Sequence, residues 1–142
     1  MIFRYCNLLL IFFFANNLVH TQSIAENPPV TSKIILQTTT SWDGVPITYP
    51  EGEAKVTALL IEISPGESTG WHKHPVPSFA YILNGTLEVT LDYGESKQFT
   101  KGDAVAEVTN TIHSGQNIGE EVLQLVVFYT GIRGKDLTVI ME

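Results

Sequence analysis

The sequence predicts an all-β domain, either an antiparallel sandwich or a barrel. Three observations carry this. Short, β-branched apolar runs are broken by Gly, Pro, Asn or Asp at intervals of about 8 to 12 residues. Residues 86–91 alternate Leu87, Val89 and Leu91 against Thr86, Glu88 and Thr90, the period of a half-buried strand. No segment holds a helical apolar period over a window of about 11 residues. The length of 142 residues allows one domain with one core.

Residues 1–25 read as a secretory signal peptide. Arg4 is their only charged side chain, residues 8–15 are continuously apolar, and Ser23-Ile24-Ala25 offers a small-x-small exit before Glu26. The apolar run is shorter than the roughly 20 residues needed to cross a bilayer, so no stable membrane span is expected after cleavage. Cys6, the only cysteine, leaves with this segment, as does His20. The exported chain, secreted or periplasmic, therefore has no disulfide and relies on its core for stability.

Residues 26–53 read as an N-terminal arm, loosened by Pro28-Pro29, followed by a first strand at residues 33–38 around Ile34-Ile35-Leu36. The barrel is assigned to residues 54–142. Within it, residues 56–63 are β-branched, and residues 79–83 lead into Asn84-Gly85, a strong hairpin turn signal. The alternating run at residues 86–91 ends at Asp92-Tyr93-Gly94. Residues 111–116 and 122–129 supply two further strands.

Charge limits the partners. Fifteen acidic residues against eight basic ones give a formal net charge of −7. A nucleic-acid partner would require a basic stripe to displace phosphate counterions, and an anionic membrane surface would repel this chain. The expected partner is a small-molecule ligand.

His72 and His74 lie two positions apart, so a strand aims both rings to one face. His113 stands near another strand. Three neutral imidazoles can hold one divalent ion and leave coordination positions open, as a catalytic or substrate-binding metal requires. A His-x-His pair alone also occurs on ordinary surface strands and as core residues hydrogen-bonded to backbone.

The surrounding residues resemble the cupin superfamily. Gly66, five residues, His72-Lys73-His74, then Ser78 and Gly85 match the spacing of its first motif, and Gly102, His113 and Asn117 match its second. The resemblance spans roughly residues 54 to 130. It implies a single-domain jelly-roll β-barrel with His72, His74 and His113 as metal ligands. Small cupins include dioxygenases, isomerases, lyases and metabolite binders, so the resemblance does not name a reaction.

Two departures stand out. Cupins of this pattern usually carry a glutamate ligand where this chain has Ser78, and a Pro-x-Gly where it has Val108-Thr109-Asn110. The second alters a turn. The first implies a three-histidine site without a carboxylate, with Ser78 capping a turn or holding a water. Three imidazoles exclude hard-ligand ions such as magnesium or calcium and leave zinc, iron(II), nickel, manganese or copper.

Other residues carry weaker expectations. Trp71, Phe79 and Tyr81 are read first as barrel packing and second as an aromatic wall for a ligand. Glu107 is read first as a solvated loop charge and second as an acceptor for an imidazole N–H. If the protein is an enzyme, Tyr81 and Glu107 are the candidate general bases. Asn117 is expected to tie down a turn. A metal-free metabolite-binding or sensor role stays open, as does a homodimer paired through the edge at Ile34-Ile35-Leu36.

Overall fold

The alternation of apolar and polar residues resolves into two facing antiparallel sheets. The computed structural model describes residues 30–141, of which residues from Lys33 onward belong to one compact unit. Nine strands follow in chain order: β1 (Ala54–Ile63), β2 (His72–Lys73), β3 (Ser78–Asn84), β4 (Thr86–Leu91), β5 (Ser96–Thr100), β6 (Ala104–Ala106), β7 (His113–Asn117), β8 (Leu123–Ile132) and β9 (Val139–Ile140). The first sheet runs β1-β8-β3-β6 and the second β5-β4-β7-β2-β9. All pairings between these strands are antiparallel.

The core lies between the sheets. From β8, Leu123, Leu125, Val127 and Tyr129 point inward, while Phe128 on the opposite face is exposed. Leu87, Val89 and Leu91 of β4 face them from the second sheet. This is the period-2 pattern of the sequence realised in space. Ala80 and Ile82 on β3 and Phe99 on β5 complete the packing.

The chain turns at Gly85, but the Asn-Gly signal does not make a hairpin: β3 pairs with β6 and β8 and β4 with β5 and β7, so the turn carries the chain from one sheet to the other. Gly85 has a φ of +83°, and a Cβ there would stand 2.9 Å from the Leu123 Cα. Only glycine satisfies both the left-handed conformation and the close approach. Asn110 occupies the glycine position of the second motif and has a φ of 60°. Asparagine tolerates that conformation better than most residues. Its backbone N–H donates to the His74 carbonyl at 2.8 Å, so this turn fixes the chain beside the histidines.

Two further expectations are corrected. Residues 33–38 form no strand: no neighbouring strand pairs with them, and Ile34 and Ile35 are 74% and 54% exposed. The first strand of the described residues is β1, so the proposed dimer edge at Ile34-Ile35-Leu36 is not a sheet edge. Apolar β-branched composition gave that run strand character without a ladder to join. In addition, β5, β6 and β9 were not expected. They are short or carry few apolar residues, and pairing with β4, β3 and β2 defines them. The signal-peptide expectation lies outside the described residues.

Candidate metal centre

The site grows from the register of β2 against β7. His72 stands directly opposite His113 in this antiparallel pair. Cross-strand partners share a face, so both rings enter the barrel. His74 follows immediately after β2 and points the same way. The ring centroids lie 4.8 Å apart for His72–His74, 4.4 Å for His72–His113 and 5.0 Å for His74–His113. All three side chains are buried.

Each ring is oriented by a carbonyl. Nδ1 of His72 lies 3.0 Å from the Gly70 carbonyl oxygen, Nδ1 of His74 3.0 Å from that of Leu137, and Nδ1 of His113 2.9 Å from that of Thr111. A carbonyl oxygen only accepts, so Nδ1 carries a proton and Nε2 is the nitrogen left for a metal. This is the tautomer a metal-ligating histidine adopts when its outer nitrogen donates to a carbonyl. The three residues offer ligand nitrogens within 4.8 Å of one another. Burial lowers the pKa of His72, and burial pushes His113 down to about 4. Both rings are therefore neutral near pH 7, the state in which imidazole binds a metal. The residues present fit a divalent ion.

A fourth polar group meets this cluster. The Glu107 carboxylate lies 3.2 Å from His74 Nε2, and its side chain is only 14% exposed. The Ser78 hydroxyl donates to the same carboxylate oxygen at 3.0 Å. Burial pushes the Glu107 carboxyl up, yet its contacts with His74, His113 and Ser78 outweigh burial and hold it below its ordinary pKa. Glu107 is thus not a solvated loop charge, and Ser78, 1% exposed, neither faces solvent nor caps a turn. The expectation of a site without a carboxylate is corrected by the same observation. The cause is pairing: Phe79 is the partner of Ala106 in the β3–β6 ladder, and the Glu107 N–H donates to the Ser78 carbonyl at 2.9 Å. Positions 78 and 107 therefore stand opposite each other, a relationship the sequence does not display.

The cavity beside the histidines measures about 60 Å³. Ile61, Ile63, Leu87, Val89, Leu125 and Val127 form most of its wall, with Thr69, Glu107 and the histidines as its polar part. Its aromatic surface comes from Trp42 and Tyr129, not from Trp71, Phe79 or Tyr81. On β3, Phe79 and Tyr81 alternate with the buried Ser78, Ala80 and Ile82, so strand parity turns them away from the cavity. Tyr81 is thereby removed as a candidate base. The Tyr129 ring meets His74 edge-on at a centroid distance of 5.2 Å. Burial pushes the Tyr129 hydroxyl up to about 12, so it stays protonated.

Two supports of the site come from residues that are not motif positions. Thr69 Oγ1 accepts from the Gly115 N–H at 3.0 Å and lies 3.4 Å from His72 Nδ1. The C-terminal segment supplies the Leu137 carbonyl and Thr138 Oγ1, the latter 3.2 Å from His74 Nδ1. Asn117, fully buried, donates to the carbonyls of Ile63 and Glu121 and accepts from the Gly119 N–H, which ties β7 to the end of β1.

Comparison with known proteins agrees with this geometry. A cupin domain matches residues 59–129. No curated protein matches the chain. Among solved structures, the oxalate decarboxylase of Lactobacillus farciminis in complex with formate is similar at 23% identity, with a TM-score of 0.53 over 61% of this chain and 26% of that one. The DMSP lyase DddQ of Ruegeria pomeroyi is similar at 19% identity, with a TM-score of 0.52 over 61% of this chain and 43% of that one. An oxalate decarboxylase of Bacillus subtilis with Mn(II) centres is similar at 21% identity, with a TM-score of 0.53 over 61% of this chain and 24% of that one. This chain thus spans less than half the length of each, and the likeness is one of fold. With the two motifs, the two-sheet barrel and the matched domain in agreement, the chain belongs to the cupin superfamily.

Proposed function

We propose that this is an exported cupin in which His72, His74 and His113 hold one divalent transition metal, and in which a small organic molecule binds or is converted beside it. The observation that carries the reading is the orientation of the three rings. Each Nδ1 is spent on a backbone carbonyl, which leaves three inward Nε2 atoms in one buried cluster. Three imidazole nitrogens converging on one cavity, each with its other nitrogen already held, are an arrangement a cation stabilises. When bound, a divalent ion supplies a Lewis acid that draws a substrate oxygen and acidifies water. The Mn(II) centres of the Bacillus subtilis oxalate decarboxylase support a divalent ion in this fold.

The chain's own residues set what else enters. A void of about 60 Å³ has room for about four to six waters at roughly 10–15 Å³ each. It therefore selects a molecule of a few non-hydrogen atoms, with its polar end toward the histidines and its remainder against Leu125, Val127 and Trp42. The protonated Tyr129 hydroxyl and the ionised Glu107 are the cavity's titratable groups beside the histidines; Glu107 is the one able to accept a proton.

Elemental analysis tests the reading. Protein purified after growth with added metals carries about one equivalent of transition metal, as a single three-histidine site dictates, and His72→Ala removes it. Wild-type protein without metal overturns the reading. A metal-free metabolite-binding role is the second reading, supported by the mostly apolar wall. It predicts ligand-induced thermal stabilisation that survives chelation. Export is tested by intact mass of the secreted protein: loss of residues 1–25 supports it and a full-length mass opposes it. Among the described residues, no helix is long and apolar enough to cross a membrane.

A further inference from the structure

Position 78 holds serine where the cupin pattern carries a glutamate ligand, yet a carboxylate reaches the histidines from elsewhere. We propose that Glu107, entering from the end of β6, is the fourth protein ligand of the metal, and that Ser78 holds it in place. The inference rests on the metal-binding reading above.

His74 and Glu107 meet at a distance that calls for a cation between them. Nδ1 of His74 faces the Leu137 carbonyl at 3.0 Å, so its proton is on that side. Nε2 on the other side of the ring lies 3.2 Å from the Glu107 carboxylate oxygen. A nitrogen and a carboxylate oxygen at that distance need a shared cation, either the proton of an imidazolium or a metal ion held by both. Metal-bound nitrogen and oxygen ligands about 2.0–2.2 Å from an ion come this close to each other. The contact matches the spacing of two neighbouring ligands on one ion.

Positions 78 and 107 stand opposite each other on the extension of the β3–β6 ladder, because Phe79 pairs with Ala106. Opposed residues in an antiparallel pair project to the same face. A carboxylate on either residue therefore reaches the same corner of the barrel. The short Ser78 side chain vacates the space, and Glu107 enters it with its oxygen 3.0 Å from the serine hydroxyl. Serine at 78 is then a complement to Glu107 rather than a lost ligand. The donor set becomes three imidazoles and one carboxylate, which lowers the net charge of the site and favours Mn(II) more than it favours Zn(II).

The experiment measures affinity of the full secreted chain for Mn(II) and Zn(II) by chelator competition, with circular dichroism to verify folding. Glu107→Gln is expected to weaken binding by about 10- to 100-fold or more, with a larger loss for Mn(II) than for Zn(II), since carboxylate suits manganese and imidazole suits zinc. Ser78→Glu combined with Glu107→Ala returns the carboxylate from the opposite strand and is expected to restore Mn(II) binding that Glu107→Ala alone abolishes. Should Glu107→Gln fail to fold, this exchange still decides the matter, because a structural carboxylate would not restore metal selectivity. Unchanged affinities in Glu107→Gln, with His113→Ala abolishing binding, overturn the assignment and leave the three-histidine reading standing. An equal loss for both metals assigns Glu107 a hydrogen-bonding role and also overturns it. Absence of metal binding by wild-type protein overturns both.

Discussion

His72 and His113 are cross-strand partners in the β2–β7 pair, with ring centroids 4.4 Å apart. Placing two imidazoles this close inside a barrel has an electrostatic consequence: protonating either one costs more than in water. For both rings burial is the leading cause, and repulsion from neighbouring histidines adds to it.

The consequence is a pH-dependent stability of the metal-free protein. The His113 pKa falls from 6.5 in the unfolded chain to about 4 in the folded one. Above about pH 6.5 both states are neutral there, and His113 contributes no slope. Between about pH 6.5 and 4 the unfolded chain binds a proton that the folded chain refuses, so stability falls as pH falls. Glu107 has a lowered pKa and acts in the same direction at lower pH, stabilising above its unfolded pKa and less so as it is protonated. Thermal melts of chelated protein are expected to drop across this window, and His113→Asn is expected to flatten the upper part of the drop. A melting temperature independent of pH from 7 to 4 contradicts the placement of His113.

Two glycines separate conformational strain from steric contact. Gly85 and Gly94 have similar positive φ values, +83° and +93°, but a Cβ at Gly85 meets the Leu123 backbone at 2.9 Å while one at Gly94 meets nothing within 4 Å. Gly94→Ala is expected to cost about 1 kcal/mol from the left-handed conformation alone. Gly85→Ala carries the same strain plus displacement of β8 and is expected to cost about 2–4 kcal/mol. Urea denaturation of both variants checks the order, and equal costs contradict it.

How far the sequence carries can be judged from these same residues. Residues 86–91 alternate cleanly because one face is buried, and β4 has those bounds. The histidines were identifiable by spacing, since strand parity alone aims His72 and His74 together. Tyr129 was not legible as a site residue, and Glu107 was read first as a solvated charge and only second as an imidazole acceptor or base. Their approach depends on which strands are neighbours and in what register, and no local pattern encodes that. The run around Ile34-Ile35-Leu36 shows the converse: local apolar composition suggested a strand, but tertiary pairing decides whether one forms.

Asn117 offers a test of the second motif as scaffold. It is fully buried and makes two donated bonds of 2.8 and 2.7 Å and one accepted bond of 2.9 Å. Asn117→Ala leaves two carbonyls and one N–H without this partner, at a cost of about 2–4 kcal/mol. Asn117→Asp is expected to be worse than its near-isosteric shape suggests, because a carboxylate facing the Ile63 and Glu121 carbonyls donates nothing. Chemical denaturation of the two variants checks both values, and a change below about 0.5 kcal/mol, as at an ordinary surface site, contradicts them.

The C-terminal segment is expected to govern the metal site although no motif residue lies in it. Leu137 supplies the carbonyl that orients His74, Thr138 Oγ1 lies 3.2 Å from the same nitrogen, and β9 pairs Ile140 with His72. Deleting residues 136–142 removes all three contacts while leaving the four-stranded sheet and the β4–β7 pairing intact. The His74 ring then loses its fixed tautomer and orientation. Metal affinity is expected to fall by about 10- to 100-fold, the usual cost of losing the partners that orient a ligand. The melting temperature of the chelated protein is expected to change far less, because the deleted residues contribute little to the core apart from the partly buried Leu137. Chelator competition and thermal melts on the same samples separate these effects. If affinity is unchanged while stability falls, the segment serves the fold and not the orientation of His74.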